Sequence, residues 1–337
     1  MIGASAAPPQ HGGGLDAAEQ RWGRHESGWL DLSTGINPHA YPLPDLPPAL
    51  WQRLPDREAE AGLLDATRHC YGAPAGCPAV AAAGSQALIG LLPRLIAPTQ
   101  VLVLGPTYAE HAYRWRLVGH EVRETDSLPE HPDARIVILA NPNNPDGRIT
   151  PPAPLLDLAR HLARDNGLLV VDEAFADVTP GISLAGQAGM PGLLVLRSFG
   201  KFFGLAGLRL GVALGERRMI EALSTALGPW AASGPALAIG RLALADTPWI
   251  EAMRRRLTVE SAALDDRLTG LGLERLGGTD LFRLVRHARA WELAEGLGAA
   301  GVLVRRFAEQ PQWLRIGLAP DKAGTDRLIR ALERLLR

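Results

Sequence analysis

Lys201 is the residue whose type and surroundings point most directly to chemistry. It is one of only two lysines among 35 lysines and arginines. A lysine amine, unlike an arginine guanidinium, can deprotonate and form a Schiff base with an aldehyde. Ser198 and Arg209 flank it, and a hydroxyl with a guanidinium suits a phosphate dianion. The segment predicts binding of pyridoxal phosphate, although a surface lysine in a glycine-rich loop would also explain it.

Asp172 follows the apolar run at residues 168–171. Such a run predicts a buried parallel strand, and ligands of doubly wound sheets bind at the carboxyl ends of strands. A buried carboxylate there can keep a pyridine nitrogen protonated, which lets the ring accept electrons. We therefore predict that Asp172 is catalytic, while an isolated aspartate of this kind is also typical of a helix N-cap.

An Asn-Pro-rich turn at residues 141–147 follows a second strand-like run at residues 135–140. Its prolines and glycine favour a tight, non-helical turn. Asn144 is predicted to donate a hydrogen bond to the phenolate oxygen of the cofactor ring. An ordinary turn has the same composition, so the prediction depends on the position of this segment before Asp172.

Gly84, Ser85 and Gln86 open an apolar helix. Its first backbone amides and the Ser85 hydroxyl are predicted to form the second half of a phosphate site, although simple N-capping requires no ligand. Tyr108 follows a third strand-like run, at residues 101–104. It is predicted to stack on a flat ring.

The order of these motifs resembles the aspartate-aminotransferase superfamily of pyridoxal-phosphate enzymes, fold type I. The resemblance spans most of the chain. It implies an α/β fold with a large, mostly parallel sheet domain, helices on both sheet faces, and a smaller α+β C-terminal lobe. It also implies pyridoxal 5'-phosphate as cofactor, a homodimer, and no metal site.

The predicted organisation has three parts. Residues 1–55, which show little periodicity, form an N-terminal arm that contributes to the substrate site. Residues 56–230 form the large cofactor-binding domain, and a Gly-Pro-rich segment at 228–235 marks its end. Residues 231–337 form the small domain. Further predicted elements are a helix at 154–165, short strands at 281–285, 302–306 and 313–318, and a final helix at 325–336.

Composition indicates which partners and compartment to expect. The net charge is −1 and the pI about 6.8, so nucleic-acid and membrane surfaces are not favoured as partners. The N-terminus has no signal-peptide pattern. Cys70 and Cys77 lack metal or redox spacing, and two cysteines in 337 residues suggest a reducing cytoplasm.

His11-Gly12-Gly13 and the segment at residues 31–38 resemble the opening of threonine-phosphate decarboxylases of cobalamin synthesis. That resemblance implies decarboxylation of O-phospho-L-threonine to (R)-1-aminopropan-2-yl phosphate. A second similar family, the histidinol-phosphate aminotransferases, carries tyrosine at the position of Phe175. Because Phe175 cannot donate to the cofactor's ring oxygen, that oxygen is expected to keep more negative charge and to hold the imine proton more firmly.

The resemblance also implies a set of substrate residues. Arg305 and Arg315 would bind the acidic groups of a small phosphorylated amino acid, and His11, Ile36 and Asn37 would cover its far end. Either arginine is also compatible with a solvated strand edge, and His11 could act within its own chain or across a dimer. Leu54 stands where the superfamily has a tyrosine that reaches the partner's cofactor phosphate, which removes one usual support for a dimer.

Two alternatives to the decarboxylase stay open from sequence alone. One is a histidinol-phosphate-type aminotransferase, because decarboxylation and transamination differ only in which Cα bond is aligned for cleavage. The other is a non-catalytic pyridoxal-phosphate-sensing domain of a regulator. The lack of an attached basic helix-turn-helix segment is evidence against a sensor.

Overall fold

The computed structural model describes residues 8–337 of the chain. Contacts divide these residues into two compact units. Unit 1 contains residues 8–9, 41–144 and 149–248, and unit 2 contains residues 10–40, 145–148 and 249–337. The two units are defined by contacts between residues. The domain boundaries that the sequence predicts at residues 55 and 230 remain a prediction.

The helices and strands are numbered in chain order. The helices are α1 Leu15–Trp22, α2 Ala49–Gln52, α3 Arg57–Tyr71, α4 Ser85–Leu91, α5 Glu110–Leu117, α6 Pro152–Arg164, α7 Arg217–Leu227, α8 Gly234–Ala245, α9 Thr247–Gly270, α10 Ala290–Ala299 and α11 Lys322–Leu336. The strands are β1 Leu30–Asp31, β2 Ala79–Ala82, β3 Gln100–Leu104, β4 Glu121–Thr125, β5 Ile136–Ala140, β6 Leu168–Asp172, β7 Leu193–Ser198, β8 Gly211–Gly215, β9 Glu274–Thr279, β10 Phe282–Arg286, β11 Val302–Leu303, β12 Arg305–Phe307 and β13 Gln310–Gly317. None of the helices within residues 8–337 is both long enough and apolar enough to cross a bilayer.

Unit 1 is built on a seven-stranded sheet in the order β2-β8-β7-β6-β5-β3-β4. Strands β4, β3, β5, β6 and β7 run parallel, and β8 is antiparallel to both of its neighbours. The predicted large, mostly parallel sheet is confirmed. The strands predicted at 101–104, 135–140 and 168–171 are β3, β5 and β6, because continuous apolar runs suit strands buried on both faces.

Alternate residues of the central strands enter two separate cores. Val101 and Val103 of β3 pack in the core that includes α4 and α5, whereas Leu102 and Leu104 pack in the core that includes α6. Period-two alternation sends successive side chains to opposite faces. Both faces of the sheet are therefore covered, and polar side chains are left to gather at the strand ends.

Unit 2 contains a four-stranded antiparallel sheet in the order β12-β13-β10-β9 and a parallel pair, β1 with β11. The strands predicted at 281–285 and 313–318 are β10 and β13. The strand predicted at 302–306 is instead two short strands, β11 and β12, which belong to different sheets. The final helix begins at Lys322, earlier than predicted, because the Asp321 side chain caps it by accepting from the Gly324 amide.

A buried ion cluster lies where β6 and β7 end in unit 1. Arg197 is 2% exposed and donates from Nη1 to Glu173 Oε2 at 2.7 Å, while its Nη2 lies 2.8 Å from Asp177 Oδ1. The guanidinium also lies 3.7 Å from the Tyr71 ring centroid. Burial acts to lower the pKa of Arg197, but Asp177, Tyr71 and Glu173 together raise it above its usual value. The cation therefore neutralises the carboxylates next to the strand ends.

We expect Arg197→Met to lower the free energy of unfolding by about 3–5 kcal/mol, because it leaves the buried carboxylates of Glu173 and Asp177 without a cation. Denaturant unfolding measures the effect. The control is Arg217→Met. The Arg217 side chain is 75% exposed, and its Nη1 lies 3.7 Å from Glu221 Oε1, so this change should alter the free energy of unfolding by less than about 1 kcal/mol. An Arg197→Met effect as small as the control would show that the cluster does not stabilise unit 1.

Candidate active site

Arg209 and the start of α4 lie together in unit 1. Gly84, at the N-cap of α4, has φ +86°, and a Cβ there would lie 2.6 Å from Arg209 Nη2. A Cβ at Gly211 would overlap the Ser85 backbone nitrogen. The two glycines thus permit a close approach of backbone and guanidinium that side chains would block. The Arg209 guanidinium therefore lies beside the backbone at the start of α4, an arrangement that suits a phosphate.

The segment that carries the predicted lysine starts at the end of β7. Ser198 Oγ accepts from the Gly200 backbone nitrogen at 3.3 Å, and Arg209 Nη1 donates to Ala206 O at 3.1 Å. Both contacts hold the loop in a fixed path. Lys201 is half-buried, with Nζ 5.6 Å from the centroid of the Phe175 ring. The predicted imine-forming amine therefore lies against an apolar aromatic face, in the same loop as both predicted phosphate ligands.

Asp172 ends β6 and is 5% exposed. Its Oδ1 accepts from the Ala174 backbone nitrogen at 3.1 Å, and its Oδ2 lies 3.0 Å from His111 Nε2. These two partners fix the orientation of the carboxylate at the predicted position, the carboxyl end of a central parallel strand. Such an arrangement can keep a heterocyclic nitrogen protonated.

His111 is a site residue that the sequence reasoning missed. It is 2% exposed and contacts Asp172, and its ring lies edge-to-face with Tyr108 at 5.8 Å between centroids. The available signal was the closeness in sequence of two aromatic rings, Tyr108 just before α5 and His111 in its first turn. The contact with Asp172 joins residues 61 positions apart, which local periodicity does not reveal.

The Asn-Pro-rich turn is held by two of its asparagines. Asn141 accepts from the Thr150 backbone nitrogen and donates to Thr150 O, both at 3.0 Å. Asn143 donates to Pro106 O at 2.9 Å and accepts from the Thr107 hydroxyl at 2.6 Å. The two buried amides therefore shape the turn, and Asn144, which is half-buried, stays the predicted ligand of the cofactor oxygen.

Gln86 lies in the first turn of α4, and its side chain contacts protein groups. Its Oε1 accepts from the Tyr108 hydroxyl at 3.0 Å, and its Nε2 donates to Glu110 Oε2 at 2.6 Å. Its predicted role as a cofactor ligand thus rests on its backbone amide. Burial, followed by the charges of Glu110 and Asp172, raises the pKa of Tyr108 to about 12. The phenol is therefore a hydrogen-bond donor at neutral pH.

Unit 2 brings the two predicted substrate arginines together. Arg305 on β12 is the cross-strand partner of Arg315 on β13, and like charges directly opposite each other are unfavourable. Burial and then the Arg305 cation lower the pKa of Arg315 to about 10, while burial and Arg306 lower the pKa of Arg305. With a pKa of about 10, Arg315 stays protonated at neutral pH. A bound anion would relieve their repulsion, so the pair suits an acidic ligand.

The predicted N-terminal residues of the substrate site also lie in unit 2. Gln10 O accepts from Arg305 Nη2, and Ser33 O accepts from Arg315 Nη2, each at 2.6 Å. Gly13 donates from its backbone to Ser33 Oγ at 2.7 Å. His11 belongs to the same N-terminal arm and is exposed. The arm is therefore attached next to the arginine pair by backbone contacts.

The other two predicted substrate residues follow on the same segment. Asn37 is 2% exposed and accepts from the His39 backbone nitrogen at 2.9 Å, and Ile36 beside it is half-buried. The Asn37 contact shapes the local turn. Leu54, in unit 1, is 66% exposed, so an apolar side chain lies on the surface at the position where the superfamily has a tyrosine.

The chain is similar to known proteins over nearly its full length. The family described as aminotransferase class I and II matches residues 77–332. A threonine-phosphate decarboxylase from Sinorhizobium sp is 46% identical over 336 residues, covering 98% of this chain and 99% of that protein. A threonine-phosphate decarboxylase from Pseudomonas aeruginosa is 45% identical, covering 96% and 97%. The crystal structure of a histidinol-phosphate aminotransferase from Sinorhizobium meliloti in complex with pyridoxal-5'-phosphate is similar in fold, with TM-score 0.83, 22% identity, and coverage of 98% and 96%.

Proposed function

The chain belongs to the class I and II aminotransferase family, and from that premise we propose that it decarboxylates O-phospho-L-threonine with pyridoxal 5'-phosphate. The product is (R)-1-aminopropan-2-yl phosphate, a precursor for cobalamin, and the second product is carbon dioxide. The observation that carries the proposal is the near full-length identity of 46% to a threonine-phosphate decarboxylase. The solved aminotransferase, at 22%, supports the fold alone.

The residues of unit 1 fit this cofactor. The cradle of Ser85, Ser198 and Arg209 has the charge and the glycine-permitted approach that a phosphate requires. Asp172, held by His111, would pair with the ring nitrogen. The remaining candidates are Tyr108 against the ring face, Asn144 at the ring oxygen, the Gly84 and Gln86 backbone at the phosphate, and Lys201 at the aldehyde. When bound, pyridoxal phosphate accepts the electron pair released at Cα.

Each residue then has a defined task in the reaction. Arg305 and Arg315 bind the substrate's phosphate and carboxylate. Asp172 holds a proton on the ring nitrogen. The Lys201 amine, which would hold the cofactor aldehyde, is also the group that would return a proton to Cα. His11, Ile36 and Asn37 cover the end of the substrate.

We expect Arg315→Met to raise KM for O-phospho-L-threonine by about 10- to 100-fold, because it removes a charge-assisted contact to the substrate. Initial rates of carbon dioxide release measure it. The control is Arg286→Met, which changes an exposed arginine of the same sheet that pairs with Glu274 and should leave KM unchanged. An unaltered KM in Arg315→Met would remove this residue from the substrate site.

We propose a homodimer formed through an apolar face of unit 1. Trp51, Leu54 and Trp230 are exposed by 69%, 66% and 58%. Pro55, which follows Leu54, lines a cavity of about 610 Å³ together with Trp230, and α2, which contains Trp51, packs on α8. Exposed large apolar side chains in a contiguous patch are typical of protein interfaces. The chain has only two cysteines, Cys70 and Cys77, and this low number supports a cytoplasmic location, which we also propose.

Analytical ultracentrifugation tests the dimer. The wild-type protein should sediment with twice the 36.0 kDa chain mass, and a Trp51→Glu, Leu54→Glu double variant should sediment as the single chain. Val259→Glu, at a position 69% exposed in unit 2, is the control and should remain dimeric. A wild-type monomer would refute the proposal.

A further inference from the structure

Glu110 is a buried carboxylate beside the cofactor site that no reaction step uses. We propose that Glu110 is a positioning residue: by fixing the side-chain amide of Gln86, it sets the hydrogen-bonding role and the ring orientation of Tyr108. The inference rests on the proposed function, because Gln86 and Tyr108 belong to the proposed pyridoxal-phosphate site.

The contacts form one continuous chain. Glu110 is 3% exposed, and its Oε2 accepts from Gln86 Nε2 at 2.6 Å and from Arg114 Nε at 2.5 Å. Gln86 Oε1 in turn accepts from the Tyr108 hydroxyl at 3.0 Å. Arg114 compensates the buried negative charge of Glu110 while staying 34% exposed itself. Arg114 thus holds the Glu110 carboxylate from the solvent side, and the carboxylate binds Gln86 on the side of the cofactor site.

An ionised carboxylate only accepts hydrogen bonds, so it decides which end of a neighbouring amide faces it. Glu110 attracts the NH₂ group of Gln86, and the carbonyl oxygen of Gln86 must then face Tyr108. A carbonyl also only accepts, so the Tyr108 hydroxyl must donate. One charge therefore determines the direction of both hydrogen bonds. A glutamine at position 110 could donate as well as accept, and both directions would become possible.

The hydrogen bond from the Tyr108 hydroxyl to Gln86 fixes one end of the Tyr108 side chain. The His111 ring packs edge-to-face on the Tyr108 ring, with 5.8 Å between the centroids. His111 also binds Asp172. The raised pKa of Tyr108, about 12, keeps the phenol protonated and able to donate. The ring expected to stack on the cofactor is therefore held at two points, and Glu110 controls one of them through Gln86.

The first test requires no cofactor. The chain has four tyrosines, so ¹³C-tyrosine labelling of the apoprotein gives a simple spectrum in which Tyr108→Phe assigns the Tyr108 signal. We expect Glu110→Gln to move the resonance of the hydroxyl-bearing carbon of Tyr108. Glu124→Gln changes a half-exposed glutamate that pairs with Arg116 and should leave the resonance in place. An unmoved resonance in Glu110→Gln would overturn the proposal.

The second test is a double-mutant cycle on the affinity of the apoprotein for pyridoxal phosphate. Glu110→Gln should weaken binding about tenfold in the wild-type background. In the Tyr108→Phe background, which lacks the hydroxyl, the same change should weaken binding less than about threefold. Equal effects in both backgrounds would mean that Glu110 does not act through Tyr108, which would overturn the proposal.

If Glu110→Gln does not fold, Gln86→Met replaces the amide with an apolar side chain of similar size and should move the same Tyr108 resonance; a resonance that stays in place overturns the proposal. If the wild-type protein binds no pyridoxal phosphate, the proposed function fails, while the tyrosine spectrum of the apoprotein still decides the role of Glu110.

Discussion

Lys201→Ala should abolish turnover of O-phospho-L-threonine, with a loss of about 10⁴-fold or more in kcat, and should remove the visible absorbance of the bound cofactor. Lys201 is proposed both to hold the cofactor aldehyde and to carry a proton to Cα, and alanine can do neither. Carbon dioxide release and an absorbance spectrum of the purified protein measure the two effects separately.

The second lysine of the chain provides a matched control. Lys322, at the start of α11, has a side chain that is 91% exposed and lies 3.9 Å from Asp326. Lys322→Ala should keep both the wild-type kcat and the wild-type spectrum. Substantial activity in Lys201→Ala would show that the imine-forming residue lies elsewhere, and because the chain has only these two lysines, it would contradict the proposed chemistry as a whole.

Asp172→Asn should lower kcat by about 10³-fold, because the neutral amide cannot stabilise a proton on the ring nitrogen where charge develops. Its fold should persist, since the change keeps the side-chain shape beside His111 and Ala174. The expected signature is a fall in kcat with little change in KM, because the arginine pair that is proposed to bind the substrate is intact.

Two variants accompany this prediction. Asp172→Glu keeps the charge and should recover part of the lost activity, whereas an effect of packing alone would not be relieved by a longer side chain. Asp165→Asn, at an exposed aspartate after α6, should match the wild type. If Asp172→Asn stays within about threefold of wild-type kcat, the carboxylate does not have the electrostatic role assigned to it.

The fold was predictable where the sequence pattern reports burial directly. The runs that became β3, β5 and β6 are apolar without interruption because helices cover both faces of these strands. Asp172 was found for the same reason, since it is the first polar residue after such a run. The short helix α1 in the N-terminal segment was missed, and only Ala18 of that helix is buried, so its apolar periodicity is weak.

The parts of the site that escaped prediction depend on contacts between distant segments. His111 and Asp172 are 61 positions apart, and Gln86 and Glu110 are 24 apart. Neither pair has a local spacing that marks it. The pairing of Arg305 with Arg315 depends on the register between β12 and β13. The sequence predicted a single strand at 302–306, and β12 is only the second part of that segment. Residue types therefore indicated the chemistry, while the supporting contacts required the fold.

The most direct test of the account is to incubate the cofactor-loaded protein with O-phospho-L-threonine in the absence of any keto acid and to measure carbon dioxide over many turnovers. We expect sustained release of carbon dioxide, with (R)-1-aminopropan-2-yl phosphate formed in equal amount. A single loss of the cofactor's visible absorbance without carbon dioxide, restored on addition of 2-oxoglutarate, would contradict it and would identify an aminotransferase.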